Sequence, residues 1–207
     1  MKDLALLVAD KDMELALQAA LRRPESLSVR PFTFTCIKHP ERDGGVRSNG
    51  ASVLSVMASS HSHALLVLDF EGSGATGLTV EALESRLDAE MQPVWKDRGK
   101  SIVIAPELDV WMWGNDDLLR DVYGWREDSS MRDWLSSRDF ALDPNGKPER
   151  PKEAIQAVMR KMRRPRSSAL YGEIAGRISL ARCVDPAFVR LREQLQRWFP
   201  PTPGRAT

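Results

Sequence analysis

The sequence predicts an α/β fold: a mostly parallel sheet flanked by helices, with a helical C-terminal part. Three observations predict it. Before residue 107, four short apolar runs are separated by three helical stretches, the alternation of βαβ units with right-handed crossovers. The run Ala64-Leu65-Leu66-Val67-Leu68 is apolar on both faces, as a central parallel strand covered by helices requires. Beyond residue 107 the apolar spacing becomes helical. The expected boundaries are an α/β core over 1–109, a helical part over 110–199 packed on it, and a disordered tail over 200–207.

Each element has its own warrant. The first strand covers about residues 3–9, and the helix after it places Met13, Leu17, Ala20 and Leu21 on one face, with Asp10 or Asp12 as N-cap. Pro24 stops that helix, and residues 29–37, rich in β-branched and aromatic side chains, read as the second strand. Residues 39–47 are polar and contain glycine, which predicts a loop; a small-residue helix is expected over 51–60. The third strand, 64–69, is broken by Gly72-Ser73-Gly74. An amphipathic helix follows over 79–97 with Leu83, Leu87, Met91, Val94 and Trp95 inward, then a fourth strand over 101–105. Helices are expected from Val110 towards Tyr123 and over 131–135, 151–164 and 169–182, with a turn-rich connector at 143–148. Asp185-Pro186 supplies an N-cap and an N1 proline for the last helix, ending at Phe199.

Composition bounds the function only loosely. The chain has 207 residues, 42% hydrophobic and 29% charged, and a chain of this length buries roughly 70% of its unfolded surface, so it needs no disulfide staple. Thirty basic residues stand against 29 acidic ones, so net charge selects no partner. Cys36 and Cys183 lie outside any CxxC or Cys/His spacing, which suits a reducing compartment and argues against structural zinc. Met1-Lys2-Asp3 runs directly into a strand too short for a signal peptide, and no apolar run approaches the roughly 20 residues of a membrane span. The expectation is a cytoplasmic protein with no membrane contact. The chain contains no P-loop, GxGxxG, GxSxG or HExxH motif, so nucleotide-hydrolase, dinucleotide and zinc-protease readings lose their main support.

The chemistry concentrates where strands end. Three apolar runs lead into acidic pairs: Asp10 and Asp12, Asp69 and Glu71, Glu107 and Asp109. In a parallel sheet all six carboxylates reach the carboxyl edge, where open α/β sheets bind ligands and where crowded acids call for a cation. Asp69, Glu71 and Glu107 are the candidate ligands of Mg²⁺ (or Mn²⁺), with Asp10 as a further catalytic carboxylate. The plain alternative is that Asp69-Phe70-Glu71-Gly72 is an acidic turn and that Asp10, Asp12 and Asp109 only cap helices. His39 and Arg42 follow the second strand on the same edge, and Arg160, Lys161, Arg163, Arg164 and Arg166 crowd five cations into seven residues. These seven residues are the candidate nucleic-acid contacts, set against the simpler reading of a solvated loop and a helix end whose cations complement the dipole. His61 and His63 precede a strand at the opposite edge and are discounted.

The stretch Ala105-Pro106-Glu107-Leu108-Asp109-Val110-Trp111-Met112-Trp113 resembles the acid-x-acid-x-Trp strand end of small TOPRIM-like bacterial proteins, the domain of unknown function 4276 group. Ser168 to Ala175 and Asp185-Pro186-Ala187-Phe188 resemble that group's closing helices. The loop His39-Pro40-Glu41-Arg42-Asp43-Gly44 is similar to a subgroup associated with a methylation-associated phage-defence system. The resemblance implies a TOPRIM-type fold whose strand-end acids bind Mg²⁺ to cut nucleic-acid phosphodiesters, and companion defence proteins as partners. The group carries a glutamate after the first strand and Asp-x-Asp after a later one. Here those positions hold Asp10 or Asp12 and Asp69-Phe70-Glu71, which keep a carboxylate and change its reach by one methylene.

Two functions therefore stand as expectations: a metal-dependent nuclease-like subunit, or a non-catalytic adaptor of the same fold. The adaptor reading draws on Trp111, Trp113, Trp125 and Trp134, four of the chain's 6 tryptophans, as a partner surface. A phosphotransferase or hydrolase of small molecules at the same edge has less support, because no phosphate loop is visible.

Overall fold

The computed structural model describes residues 1–114 and 116–201. Four strands, β1 (Lys2–Val8), β2 (Phe34–Lys38), β3 (His61–Asp69) and β4 (Gly99–Ile104), form one parallel sheet in the order β2-β1-β3-β4. Helices flank it: α1 (Lys11–Leu21), α2 (Pro24–Leu27), α3 (Arg42–Ser55), α4 (Val80–Trp95), then α5 (Asp116–Tyr123), α6 (Met131–Ser136), α7 (Pro151–Lys161), α8 (Ala169–Arg177) and α9 (Pro186–Trp198). The fold is α/β, and its all-parallel sheet flanked by helices is consistent with a TOPRIM-like core.

The registers place Leu6 beside Cys36 and Leu65, and Val67 beside Ile102. Leu4 to Val8, Ala64 to Leu68 and Ile102 to Ile104 are fully buried, which is why these runs carry no polar alternation. The chain leaves β1 for β2 on one side and leaves β3 for β4 on the other. The crevice between the ends of β1 and β3 is thus the sheet's switch point, where ligands bind in open α/β folds.

One hydrophobic core joins the sheet to the later helices, with Leu6, Leu66 and Ile104 continuous with Trp111, Leu119, Val158, Ile174 and Leu191. Asp185 ties the two parts by hydrogen bonds. One of its carboxylate oxygens accepts from Trp111 Nε1 at 2.8 Å and from the first amides of α9, Ala187 and Phe188, at 3.1 and 3.2 Å. Among the described residues, no helix is long and apolar enough to cross a membrane. Cys36 and Cys183 are free thiols.

Several expectations of local structure are corrected: Val94 of α4 is 42% exposed rather than inward, the helix expected over 169–182 ends at Arg177, and β3 starts at His61 rather than residue 64. The second strand starts at Phe34 rather than residue 29: Pro31 has no N–H to donate, and Arg30 N instead reaches Phe199 O at 3.0 Å. The expected loop at 39–47 is mostly helix, because α3 begins at Arg42 and ends at Ser55. Two of its glycines, Gly45 and Gly50, are contact points rather than breakers. A Cβ on Gly45 would stand 2.2 Å from the His39 ring, and one on Gly50 would stand 2.7 Å from Leu66 Cδ1, so α3 packs close on the sheet only with hydrogen at both positions. The expected tail falls outside the described residues from 202 onward.

Candidate metal and phosphate site

The carboxyl ends of the strands open into a cleft of ≈ 550 Å³. Six carboxylates line it, Asp10, Glu41, Asp43, Asp69, Glu71 and Glu107, against two cations, Arg42 and Lys152. All four expected catalytic acids are in this set, and so is Arg42. The parallel topology is the reason: Asp10 follows β1, Asp69 closes β3, Glu71 stands in the turn Glu71–Ser73, and Glu107 follows β4.

Each side chain is held differently. Asp10 caps α1, its Oδ1 accepting from Met13 N at 3.0 Å, so the capping role coexists with exposure to the cleft. Asp69 Oδ1 accepts from Leu108 N at 2.8 Å, and Asp69 N donates to Asp43 Oδ1 at 2.7 Å. Glu71 is exposed, while its backbone N donates to Pro106 O at 3.1 Å. Glu107 is 5% exposed and meets Lys152 Nζ at 2.6 Å. Asp109 is equally buried and accepts the Tyr171 hydroxyl at 2.7 Å. Asp12 pairs with Arg166 at 2.6 Å.

Glu41 and Asp43 are the acids that sequence reasoning placed on this edge, beside His39 and Arg42, without naming them as site residues; Asp43 sits in the first turn of α3. Its carboxylate packs on backbone: a Cβ on Gly72 would lie 2.4 Å from Asp43 Oδ2. Lys152 was missed. It lies in the first turn of α7, and no local pattern tells which helix docks beside Glu107.

Burial and crowding shape the acidity of this edge. Burial pushes the Asp69 carboxyl well above its ordinary range, and the neighbouring Asp43, Asp109 and Asp10 push it further. Asp43 is raised by burial, partly opposed by the hydrogen bond from Asp69 N. Asp109 rises to about 6 through burial, with the Tyr171 hydroxyl opposing. Lys152 is held above its usual value by Glu107, against the effect of its own burial.

The expected polyanion contacts separate. His39 is buried, its Nδ1 accepting from Glu41 N at 3.1 Å and its Nε2 lying 2.7 Å from Asn49 Oδ1. With both ring nitrogens engaged, it is a structural post for the start of α3 and not an open phosphate contact. The basic run does not form one patch. Arg160 and Arg163 are exposed, Lys161 pairs with Glu127 at 3.1 Å, Arg164 bonds Val122 O, and Arg166 turns back to Asp12. His61 lies in β3 and bonds Thr35 Oγ1 at 2.9 Å, remote from the cleft.

The donor set is hard oxygen throughout, which suits Mg²⁺ or Mn²⁺ better than zinc or copper. By placement the fit is partial: among the described residues, no three His, Cys, Asp or Glu stand close enough together to hold a metal. Compared with known proteins, the chain matches no family model, no curated protein and no solved structure.

Proposed function

We propose that the cleft is the site of Mg²⁺- or Mn²⁺-dependent phosphodiester cleavage in a cytoplasmic, nuclease-like subunit of a bacterial phage-defence system. The observation that carries the reading is the excess of six carboxylates over two cations at the sheet's switch point, with Asp69 and Asp43 raised towards the protonated form. Acids arranged in this way lose less by ionising when a cation is present. Asp69, Glu71 and Glu107 are the candidate ligands, with Asp10 beside them; since no three of these acids converge, one or two of them would hold the ion and substrate oxygens would complete its shell. A bound divalent ion supplies charge neutralisation, a more acidic water and stabilisation of the leaving oxygen. The chain's own residues do the rest. Lys152 and Arg42 face the cleft and draw in a phosphate, while Leu108 N fixes one oxygen of Asp69. The defence context and partner proteins rest on the resemblance of Ala105 to Trp113 and of the closing helices described above.

One observation favours the adaptor reading. Glu107, Asp109 and Asp12 already have partners within the protein, in Lys152, Tyr171 and Arg166. The two readings part on calorimetric titration of Mg²⁺ and Mn²⁺ into the parent and into Asp69→Asn, followed by cleavage assays on single- and double-stranded DNA and RNA. The nuclease reading expects saturable binding that Asp69→Asn weakens more than about 100-fold, since loss of even an outer partner of a metal ligand costs 10–100-fold. Cleavage should fall with it while the melting temperature of the metal-free protein does not fall. Metal-independent complexes with no cleavage by the parent would favour the adaptor.

A further inference from the structure

We propose that a second surface, the groove between α6 and the end of α7, binds single-stranded nucleic acid by stacking bases on Trp134 and Phe140. The inference names the substrate form for the cleft, and in that respect it rests on the function proposed above. The groove itself is a separate observation.

It has a volume of ≈ 500 Å³ and is lined by Trp134, Arg138, Phe140, Ala157, Arg160 and Lys161, with no acidic side chain among them. Both aromatic rings are only partly buried. Trp134 packs against the buried Trp125, ring centres 5.3 Å apart and planes at 64°, which restrains its orientation. Arg138 lies over Trp134 and Arg150 over Phe140, each 5.4 Å from the ring centre. Arg160 is exposed and, among the described residues, unpaired. Lys161 meets Glu127 at 3.1 Å, with side-chain exposures of 35% and 41%, a surface pair that a phosphate can displace.

Aromatic faces interleaved with cations are what an unpaired strand needs: stacking for the bases and positive charge for the backbone. A duplex offers no free base face to Trp134 or Phe140, so the chemistry selects single strands. The groove also shares a helix with the cleft. The first turn of α7 carries Lys152 into the acids, and its last turn carries Arg160 and Lys161 into the groove. Eight residues of helix separate Lys152 from Arg160 by about 12 Å along the axis, a span that a few nucleotides can cover.

The test is fluorescence anisotropy of labelled oligothymidylate, oligouridylate and a mixed-sequence duplex with the full-length protein in EDTA. The expected result is preferential single-strand binding, weakened about 5- to 150-fold by Trp134→Ala and largely retained by Trp134→Phe. Arg160→Gln should lower the salt slope by about 1 without changing sequence preference. Circular dichroism of each variant checks the fold, and Arg160→Gln, on an exposed side chain, covers the case where Trp134→Ala is misfolded. The two oligonucleotides distinguish DNA from RNA. Duplex preference, equal binding by Trp134→Ala and Arg160→Gln, or no strand binding by the parent each overturns the proposal. Strand binding in EDTA, together with no cleavage by the parent when Mg²⁺ or Mn²⁺ is supplied, sinks only the cleft reading. Metal binding without strand binding sinks only the groove.

Discussion

The carboxylates at the end of this sheet are answered in two different ways. On the β4 side, Glu107 meets Lys152 and Asp109 meets Tyr171, and at the start of α1 Asp12 meets Arg166; all three partners come from beyond residue 150. On the β3 side, Asp43 and Asp69 are answered by backbone amides, from Asp69 N and Leu108 N. A backbone N–H stabilises one oxygen without cancelling the charge, so repulsion between Asp43 and Asp69 persists. The difference teaches where a cation has something to add. Where the C-terminal helices reach, the acids have side-chain partners, and where they do not, negative charge is left unanswered.

The sharpest way to test this contrast is pH. Asp109 rises to about 6 in the fold against about 3.9 unfolded, so its ionisation opposes folding. That penalty is absent below the unfolded value, grows as pH climbs from about 4 to about 6, and is complete above it. Asp69 and Asp43 shift in the same direction and widen the window. The metal-free protein should therefore lose stability across this range, by at most about 3 kcal/mol from Asp109 alone. Urea midpoints measured against pH should show the fall, and Asp109→Asn should flatten it. A midpoint that climbs through this window in both proteins would remove the argument. Added Mg²⁺ should stabilise more at pH 8 than at pH 5.

Breaking the answered side comes next. Lys152→Met leaves Glu107 buried and unpaired, at a cost of about 2 kcal/mol, below the range for fully buried pairs because Lys152 is 40% exposed. Adding Glu107→Gln should recover most of it. Additive losses in chemical denaturation of the double variant would mean that the pair is not coupled.

The smallest effect is on the unanswered side and has the opposite sign. Asp43→Asn keeps an oxygen for Asp69 N and removes one charge, which should stabilise the metal-free protein by about 1 kcal/mol at neutral pH. The same change should weaken Mg²⁺ binding, and thermal melts with and without the ion would show both effects. If Asp43→Asn is destabilising in the absence of metal, the charge on this side is not a liability.

The sequence made legible what depends on local pattern. The places of β1, β3 and β4 follow from their apolar runs, although β3 begins three residues before its run, at His61; parallel pairing then carries Asp10, Asp69, Glu71 and Glu107 to one cleft. The start of α3 was hidden because Gly44 and Gly45 read as loop, whereas Gly45 is small to clear His39. That left Asp43 unnamed as a site residue. Lys152, Tyr171 and Arg166 were illegible for another reason: each meets an acid between 45 and 154 residues away, and helical periodicity gives a buried face without naming its partner. The aromatic and basic groove was hidden in the same way, since Trp134 and Arg160 line one groove only in the folded chain.

The contact between Gly72 and Asp43 carries a consequence for descent. Any side chain at 72 would collide with the acid at 43, at 2.4 Å from its outer oxygen. The two positions therefore form one heritable unit, and a lineage can enlarge residue 72 only after surrendering the carboxylate. In a set of homologous sequences, glycine at 72 would mark the members that keep the full acidic edge, and its replacement would date the moment a branch let that edge go.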